Sequence, residues 1–321
     1  MKRLALVGYG RIAPKHLEVF RELGGEFVAC CNRSEAGRNR AKAEAGISNT
    51  YAHIPEMLER EKPDGVICCT SLEQIYHAAK QIIPFRIPTL LEKPPGTSFV
   101  EWQELSNLAN HYGTQVMVGL NRVHYSVLQR AVDDAGGIDR ITAVFVEWSE
   151  DPQYCLNRGL THVQVERMIF GNSLHGLHLL TMLAGELPEP QTITRVLGEP
   201  FRWLMSLQGL SRRGALASFN STWDSPGGWR LSFCVPGRRY VFAPLESCQV
   251  FIAGQKQPRT IESDHFDQQF KPGFYRQAEA FCKLSKGQDE PFPNRINECG
   301  ATMRLAEELT QSLNCPADSR R

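Results

Sequence analysis

The chain has 321 residues, which is enough for one large or two medium domains with a sizeable core. Its 36 Lys and Arg residues nearly balance its 35 Asp and Glu residues, and no basic stripe or tail is present, so we expect no nucleic-acid or anionic-membrane partner. No apolar run is long enough to span a bilayer, and the run after Arg3 is broken by Gly8 and Gly10 too early for a signal peptide.

The ten cysteines are spread along the chain, and no two of them have Cys-x-x-Cys spacing. The pairs Cys30–Cys31 and Cys68–Cys69 fall in predicted buried strands. We interpret the cysteines as reduced thiols, many of which act as small apolar side chains. Without a predicted secretion signal, this pattern favours a cytoplasmic protein.

The first predicted element is a strand, Leu4 to Val7, which leads into a glycine-rich turn and then an amphipathic helix. The turn matches G-x-G-x-x-G/A with the residues Gly8, Gly10, Arg11, Ile12 and Ala13. In such a motif the first Gly makes the turn, the second lets a pyrophosphate approach the backbone, and the small third residue lets helix and strand pack. The phosphates then meet the N–H groups of the helix N-terminus. The sequence therefore predicts a dinucleotide site at this turn.

The second predicted strand, Phe27 to Cys31, ends where a site that prefers NAD usually has an acid for the ribose 2′-hydroxyl. Asn32 occupies that position, and Arg33 and Arg38 follow. Arginines without a nearby carboxylate would accommodate a 2′-phosphate, so we expect NADP(H). NAD stays possible, because Asn can also bond an unphosphorylated ribose, and these arginines could instead only solvate the next helix.

Strands and helices continue to alternate through the first part of the chain, which predicts a parallel sheet. Further strands are expected at Gly46–Tyr51, Val66–Cys69, Pro88–Leu91 and Gln115–Gly119, and helices at Ile54–Glu61, around Ile75–Ile82 and at Ser98–His111. The fourth strand ends at Thr70, where a cofactor ribose would lie.

The strand that ends at Leu91 is followed by Glu92, Lys93 and two prolines, which stop it. Lys93 therefore lies at the carboxyl end of a strand, where open α/β sheets bind their ligands. A lysine that is desolvated beside a cofactor has a lowered pKa, which suits it to proton transfer. The alternative is a surface lysine in an ordinary loop.

These motifs, in this order, resemble the Gfo/Idh/MocA family of nicotinamide-dependent oxidoreductases. The residues that carry the resemblance are Gly8-x-Gly10-x-x-Ala13, Asp64-Gly65-Val66-Ile67, Thr70, Glu92-Lys93-Pro94 and Val118-Gly119-Leu120-Asn121-Arg122. The resemblance implies an α/β fold: an N-terminal Rossmann domain, residues 1–120 of this chain, and a C-terminal α/β domain with a large, open, mainly antiparallel sheet, residues 121–321. It also implies that Glu92, Lys93 and Asn121 contact the cofactor.

The second half has the pattern expected for such a sheet, with β-rich stretches between Gly, Pro or charged turns. Strands are predicted at Ile141–Trp148, Thr192–Leu197, Trp203–Leu210, Ala215–Thr222, Trp229–Val235, Arg239–Phe242 and Gln249–Ile252. Helices are predicted at Ser126–Ala135, Glu166–Gly185, Phe274–Leu284 and Ile296–Leu313, and the tail after Asn314 is expected to be disordered.

The predicted helix Glu166–Gly185 holds the second catalytic candidate, His175. In the family this helix carries an Asp, then the catalytic His four residues later, then often an Asp three further on. In this chain Gly171 stands at the first Asp position and His178 at the second, so the family's Lys–Asp–His set is incomplete. His175 could still act as general acid or base, and Asn172 could bond substrate without supplying a charge. The alternative is a hydrogen-bonded core histidine.

Three further patterns allow more than one interpretation. His175 and His178 share a helix face, but no acid or cysteine follows at zinc spacing, so we predict no metal site. Arg122, with Arg158 and Arg167, would suit a phosphorylated or carboxylated substrate, or could be ordinary surface arginines. Trp148 and Tyr154 could stack on a sugar or a base, although such residues more often pack.

The resemblance implies an oxidoreductase that moves hydride between nicotinamide and a secondary alcohol or ketone of a sugar, polyol or sugar nucleotide. Lys93 and His175 would be catalytic, and Lys93, Arg122, Asn172 and His175 would bind the substrate. The rival hypothesis is a cofactor-binding protein that has lost turnover and acts as a sensor or partner subunit, since Gly171 replaces an Asp. A homodimer or homotetramer is expected in either case.

Overall fold

The computed structural model describes residues 3–198, 201–223, 225, 227–288 and 292–314. The tail that was expected to be disordered, residues 315–321, lies outside them. The chain forms two compact units: the first contains Met1–His124 and His265–Gly300, and the second contains Tyr125–Asp264 and Ala301–Arg321. The division into domains at residues 120 and 121 stays a prediction.

Strands and helices alternate in the first part of the chain, and strands predominate in the second. The strands are β1 Arg3–Val7, β2 Glu26–Cys31, β3 Thr50–Tyr51, β4 Gly65–Cys68, β5 Thr89–Leu91, β6 Val116–Val118, β7 Ala143–Trp148, β8 Gln191–Val196, β9 Trp203–Leu210, β10 Leu216–Thr222, β11 Trp229–Val235, β12 Arg238–Phe242, β13 Cys248–Ile252 and β14 Arg259–Ile261. The α-helices are α1 Ala13–Glu22, α2 Glu35–Ala45, α3 Ile54–Glu61, α4 Ile75–Ile82, α5 Phe99–Tyr112, α6 Ser126–Ala135, α7 Pro152–Asn157, α8 His162–Glu166, α9 Leu174–Ala184, α10 His265–Gln269, α11 Phe274–Ser285 and α12 Gly300–Asn314.

The first unit is built on a six-stranded parallel sheet of order β3-β2-β1-β4-β5-β6. Strands β4, β5 and β6 are buried along their whole length, as is usual when helices cover both faces of a parallel sheet. The strand order reverses between β1 and β4, so the connections that follow these two strands diverge. Such a switch point opens a crevice at the carboxyl edge of the sheet.

The returning segment, His265–Gly300, is an integral part of the first unit. Phe281 of α11 packs edge-on against Phe20 of α1, with ring centroids 5.9 Å apart. Further along, Asn294 donates its side-chain N–H to the carbonyl oxygen of Val118 at 2.7 Å, and its own carbonyl oxygen accepts the Val118 N–H at 2.8 Å. The end of β6 is thereby tied to a segment far away in the sequence.

The second unit contains an eight-stranded sheet of order β14-β13-β12-β11-β7-β10-β9-β8. All neighbouring strands are antiparallel except β7 and β10, which are parallel. Helix α9 lies on one face so closely that a Cβ on Gly176 would come within 2.7 Å of the Trp148 ring. The predicted fold class, a Rossmann sheet followed by a large and mainly antiparallel sheet, is confirmed.

One predicted helix has a different structure. Glu166–Gly185 was expected to be one helix, but α8 ends at Glu166, a π-helical turn covers Ile169–Ser173, and α9 begins at Leu174. Gly171 and Asn172 are poor helix formers, which favours a wider turn at this point. The short elements α7, α8, α10 and β14 were not predicted, because periodicity cannot be read over so few residues.

His124 makes the first unit sensitive to acid. It is 4% exposed, and its Nε2 lies 3.1 Å from Asn294 Oδ1, so we assign the proton to Nε2. Burial lowers the pKa of His124 to about 4, from an ordinary value of 6.5. In the unfolded chain His124 therefore binds a proton below pH 6.5, whereas in the folded chain it does so only below about pH 4.

We therefore expect the free energy of unfolding to fall as the pH decreases from 6.5 towards 4, by about 3 kcal/mol from this residue. Urea unfolding at several pH values would measure the slope. In His124→Gln the slope should be shallower, whereas replacing the exposed His111 by Gln should leave it unchanged. Equal slopes in His124→Gln and the wild type would contradict this account.

Candidate active site

A cavity of about 510 Å³ opens in the first unit at the carboxyl edge of its sheet. It is lined by Val7, Gly8, Tyr9, Gly10, Cys31, Asn32, Arg33, Ala52, His53, Ile54, Cys69, Thr70, Ser71, Gln74, His77, Ala78 and Gln81. Most of these residues end or follow the strands β1, β2, β3 and β4, and the others lie at the start of α4 or on it. The cavity therefore lies where an open α/β sheet binds a nucleotide.

The glycine turn after β1 requires its glycines. Gly8 has φ +86°, and a Cβ at this position would lie 2.9 Å from the carbonyl carbon and oxygen of Cys69. The Gly8 N–H donates to the carbonyl oxygen of Cys31 at 2.8 Å, which holds the turn across the strand ends. Ala13, fully buried, starts α1, with the exposed Arg11 and the partly buried Ile12 just before it. The turn thus leaves the helix N-terminus open to an anionic group.

Three side chains after β2 were predicted to contact the cofactor ribose or its 2′-phosphate, but they differ in position. Asn32 and Arg33 line the cavity. Arg38 instead donates from Nη1 to the carbonyl oxygens of Asn32 and Arg33, both at 2.9 Å, and so shapes the loop. Among the described residues that line the cavity there is no Asp or Glu. A 2′-phosphate would therefore meet no carboxylate in this cavity.

At the end of β5, Glu92 is a buried carboxylate with a buried partner. It is 8% exposed, and its Oε1 lies 2.7 Å from Nε2 of His16 on α1. Its Oε2 accepts the backbone N–H of the half-buried Lys93 at 3.2 Å. Burial opposes ionisation, but the His16 hydrogen bond and the charges of His16, Lys93 and Lys271 outweigh it and lower the pKa of this carboxyl. Glu92 thus stays anionic and organises the cations around it.

Lys271, in the returning segment, is a site residue that the sequence did not indicate. Its ammonium lies 4.7 Å from the centroid of the Phe274 ring, which is 4.8 Å from the His16 ring. Partial desolvation lowers the pKa of Lys271, Glu92 opposes this, and the nearby charges of Arg122 and Arg11 lower it further. Several cations thus share one carboxylate, an arrangement that favours the binding of an anion.

Asn121 fixes the position of this segment, because its side-chain amide donates to the carbonyl oxygen of Pro272 at 2.9 Å. Arg122 follows it in the same short 3₁₀ turn, Asn121–His124. No local pattern could have revealed Lys271, since it reaches the site only through the returning chain. A contact between Asn121 and a cofactor stays a prediction.

The second unit places its candidates in the π turn and the helix after it. His175 lies in the first turn of α9 and is 4% exposed, and Asn172 precedes it in the π turn. The amide of Asn172 donates to Oε2 of the buried Glu150 at 3.2 Å. Glu150 follows β7 and was not predicted as a site residue. Its sequence context, a polar residue directly after a strand with many apolar residues, is a weak signal.

Two further candidates of the second unit, His178 and Trp148, make structural contacts. Nδ1 of His178 lies 3.0 Å from Oγ1 of Thr302. Trp148 is fully buried and stacks on Trp229 with ring centroids 4.6 Å apart, so its ring is a packing element. In the part of the chain that the structure describes, no group of three His, Cys, Asp or Glu side chains is placed to hold a metal ion. No helix in this part is long and apolar enough to cross a membrane.

The structure thus gathers five of the predicted cofactor residues, Gly8, Gly10, Asn32, Arg33 and Thr70, around one cavity of the first unit. Glu92 and Lys93 lie at the end of β5 in the same unit. Asn172 and His175 lie in the second unit, which is built as a separate compact body.

Comparison with known proteins supports the resemblance. The GFO_IDH_MocA family model, described as an oxidoreductase family with an NAD-binding Rossmann fold, matches residues 2–120. The rhizopine catabolism protein MocA of Rhizobium meliloti is 28% identical over 153 residues, which make up 47% of this chain and 48% of that protein. The match with this curated relative therefore spans about half the length of each protein.

Two solved structures resemble almost the whole chain. Levoglucosan dehydrogenase, in complex with NADH and levoglucosan, has a TM-score of 0.82 and 14% identity, with 98% of this chain and 97% of that chain covered. The WlbA dehydrogenase of Chromobacterium violaceum, in complex with NADH and UDP-GlcNAcA, has a TM-score of 0.75 and 20% identity, with 99% and 96% covered. At these identities the likeness establishes the fold.

The positive charges of Arg11 and Arg122 near Lys271 predict that Lys271 helps to bind phosphate. We expect Lys271→Met to weaken the binding of ADP by about tenfold, because a charged hydrogen bond to the pyrophosphate is lost. Isothermal titration calorimetry would measure this, and Lys271→Arg should retain most of the affinity. The exposed Lys286 of the same segment provides the control as Lys286→Met. Equal affinities in Lys271→Met and this control would remove Lys271 from the phosphate site.

Proposed function

We propose that this protein is an NAD(P)-dependent dehydrogenase or reductase, because residues 2–120 match the model of the Gfo/Idh/MocA oxidoreductase family, which is described as having an NAD-binding Rossmann fold. It moves hydride between nicotinamide and a secondary alcohol or ketone of a small molecule. The observation that carries the proposal is the cavity at the switch point, where the turn with Gly8 and Gly10 meets the cavity wall formed by Thr70.

The bound nicotinamide supplies the hydride chemistry, and the protein positions the reacting groups. Lys93, held beside the anionic Glu92, donates a hydrogen bond to the substrate oxygen and polarises the carbonyl or stabilises the alkoxide. His175 takes the hydroxyl proton in oxidation and returns it in reduction, since an imidazole exchanges protons near neutral pH. Asn172 and Arg122 complete the proposed substrate contacts.

A carbohydrate substrate is supported by the relatives. One similar structure contains levoglucosan and another contains the sugar nucleotide UDP-GlcNAcA. We therefore propose a sugar, polyol or sugar nucleotide as the substrate of this chain. Arg122 would bind a phosphate or carboxylate if the substrate carries one.

The preference for NADP(H) is part of the proposal. It is supported by Arg33 in the cavity and by the absence of carboxylates from the described cavity lining. Asn32 lies at the position of the usual acid, with its side-chain nitrogen only 2.0 Å from where a Cβ on Gly37 would be. The NAD form of the cofactor remains an alternative, because Asn32 can bond a ribose hydroxyl.

This arrangement predicts the outcome of Asn32→Asp. The new carboxylate would accept a hydrogen bond from the ribose 2′-hydroxyl of NADH and repel the 2′-phosphate of NADPH. We expect the ratio of the NADPH to the NADH affinity to fall by about tenfold or more. Fluorescence titration with both cofactors would measure it, with the exposed Asn49→Asp as control. An unchanged ratio would contradict the proposed ribose site.

The proposed activity has a direct test in Lys93. Purified protein should enhance or shift the fluorescence of NADPH or NADH and turn over a member of a panel of sugars, polyols and sugar nucleotides. Lys93→Met should then lower kcat by about 100-fold or more, because the charged hydrogen bond that polarises the substrate carbonyl or stabilises the alkoxide is lost. Lys42→Met, at an exposed position of α2, is the matched control.

Wild-type turnover that survives in Lys93→Met would remove Lys93 from the mechanism. Cofactor binding without turnover of any panel member would instead favour the second candidate function, a sensor or partner subunit. Gly171, which stands where the family has an Asp, is the observation behind that candidate. Failure to bind either cofactor would end both proposals.

We also propose a cytoplasmic homo-oligomer. In the described residues the large sheet exposes apolar side chains on the face opposite Trp148, as the strand pairing shows: Ile193, Leu210, Leu216 and Phe251. An exposed apolar face of this kind is typical of a protein interface. Six of the described cysteines are buried free thiols, which fits a reducing compartment: Cys30, Cys31, Cys68, Cys69, Cys248 and Cys299.

A further inference from the structure

Glu150 is a buried acid that the proposed mechanism has not used. Only 7% of it is exposed, although it lies in the connection that follows β7 and not in the core of an element. Glutamate is almost never buried without a partner, because desolvation of its charge is expensive. The free-energy cost of burying this carboxyl group must therefore be offset by the polar contacts of Glu150.

The backbone at Glu150 is anchored to two neighbouring strands. Its N–H donates to the carbonyl oxygen of Thr222 at the end of β10, at 3.4 Å. The hydroxyl of Ser149 lies 2.8 Å from that of Thr222, and the indole N–H of Trp229 on β11 donates to the Ser149 carbonyl oxygen at 3.1 Å. Glu150 is thus held by the sheet, and its position does not depend on a mobile loop.

The side chain of Glu150 points to the π turn that leads into α9. Asn172 in this turn donates its amide N–H to Oε2 of Glu150 at 3.2 Å, although the two residues are 22 positions apart. His175 follows Asn172 by three positions, and the two residues between them have helical backbone angles (Ser173 φ −64°, ψ −20°; Leu174 φ −54°, ψ −33°), so Asn172 and His175 are neighbours on one helix surface. The hydrogen bond therefore places Glu150 on the side of the helix that carries His175.

Other charged groups of the second unit near α9 are engaged elsewhere. The π turn and β10 contain no titratable residue in their sequences. On β7, Glu147 lies on the opposite face from Trp148, is exposed and pairs with Arg230 at 3.7 Å. On α9 itself, His178 bonds to Thr302.

On α12, which contacts α9 through Thr302, the charged side chains are Arg304, Glu307 and Glu308. Arg304 pairs with Glu186 at 2.9 Å, and Glu308 accepts a hydrogen bond from Thr192. Among these elements of the second unit, Glu150 is the buried carboxylate held on the His175 side.

We propose that Glu150 is the acidic partner of His175. Its carboxylate replaces that of the Asp which the family has at the position of Gly171. It is a positioning residue: through Asn172 it holds the π turn, and its negative charge stabilises the imidazolium form of His175. The proposal rests on the proposed acid–base role of His175. The acid then comes from the connection after β7 and not from the segment that carries His175.

The titration of His175 tests this without any substrate. NMR of protein with labelled histidines would follow the imidazole signal, which is assigned by its loss in His175→Asn. In Glu150→Gln we expect the pKa of His175 to fall by about 1, since an adjacent carboxylate favours the charged imidazole. Glu147→Gln, on the exposed face of the same sheet, should leave it unchanged. An unchanged titration in a folded Glu150→Gln protein would overturn the proposal.

A second variant keeps the test decisive if Glu150→Gln does not fold. Asn172→Ala removes the hydrogen bond to Glu150 and keeps the charge, so we expect a smaller change of the His175 pKa in the same direction. No change in that folded variant would also count against the proposal. Far-UV circular dichroism and a cooperative urea-unfolding transition serve as the check of folding in each case.

Turnover separates this inference from the proposed function. With a panel substrate, Glu150→Gln should lower kcat by about tenfold or more, with little effect on the KM for the cofactor, and should move the pH profile of kcat/KM to lower pH. If the wild type turns nothing over, the proposed function fails while the His175 titration still decides the role of Glu150. If the wild type is active and Glu150→Gln is equally active with the same pH profile, only the Glu150 proposal fails.

Discussion

The hydrogen-bonded pair of Glu92 and His16 is the constraint on which the first unit depends. His16 is the side chain that hydrogen-bonds this carboxylate, which is only 8% exposed, at 2.7 Å. Breaking such a buried pair by removing one partner costs about 3–5 kcal/mol. The pair joins the end of β5 to the helix that begins at the glycine turn. A Cβ on Gly119 would lie 3.1 Å from Glu92, so the neighbouring strand end is shaped around this acid as well.

The pair also determines the electrostatics of the region. Glu92 stays anionic, and its charge is close to those of Lys93 and Lys271. Lys271 comes from the returning segment, whose Phe274 ring packs against the ring of His16. One carboxylate among several cations gives a net positive region next to the helix N-terminus. A dinucleotide, with its two phosphates, is the ligand chemistry that suits this region. In the second unit the buried carboxyl group of Glu150 accepts a hydrogen bond from Asn172, three positions before His175.

Much of the fold was predictable, because its signals are local. Buried strands such as β4, with four successive apolar or small residues, differ from amphipathic helices in their period, and Gly8 and Gly10 mark the turn between the first strand and helix. The sequence did not predict the π turn before α9, since a helix containing one extra residue has nearly the same pattern of apolar side chains as a regular one. It also did not show that residues 265–300 return to the first unit.

The sequence by itself determined which chemical groups are present: a phosphate-binding turn, a lysine at a strand end, and a histidine without the acid expected four residues before it. Only the tertiary structure decided which side chains surround them. His16 reaches Glu92, Lys271 comes near Glu92, and Glu150 reaches Asn172 through contacts between segments that are separated along the chain. Such contacts depend on how strands and helices pack, and periodicity within one segment carries no information about that packing.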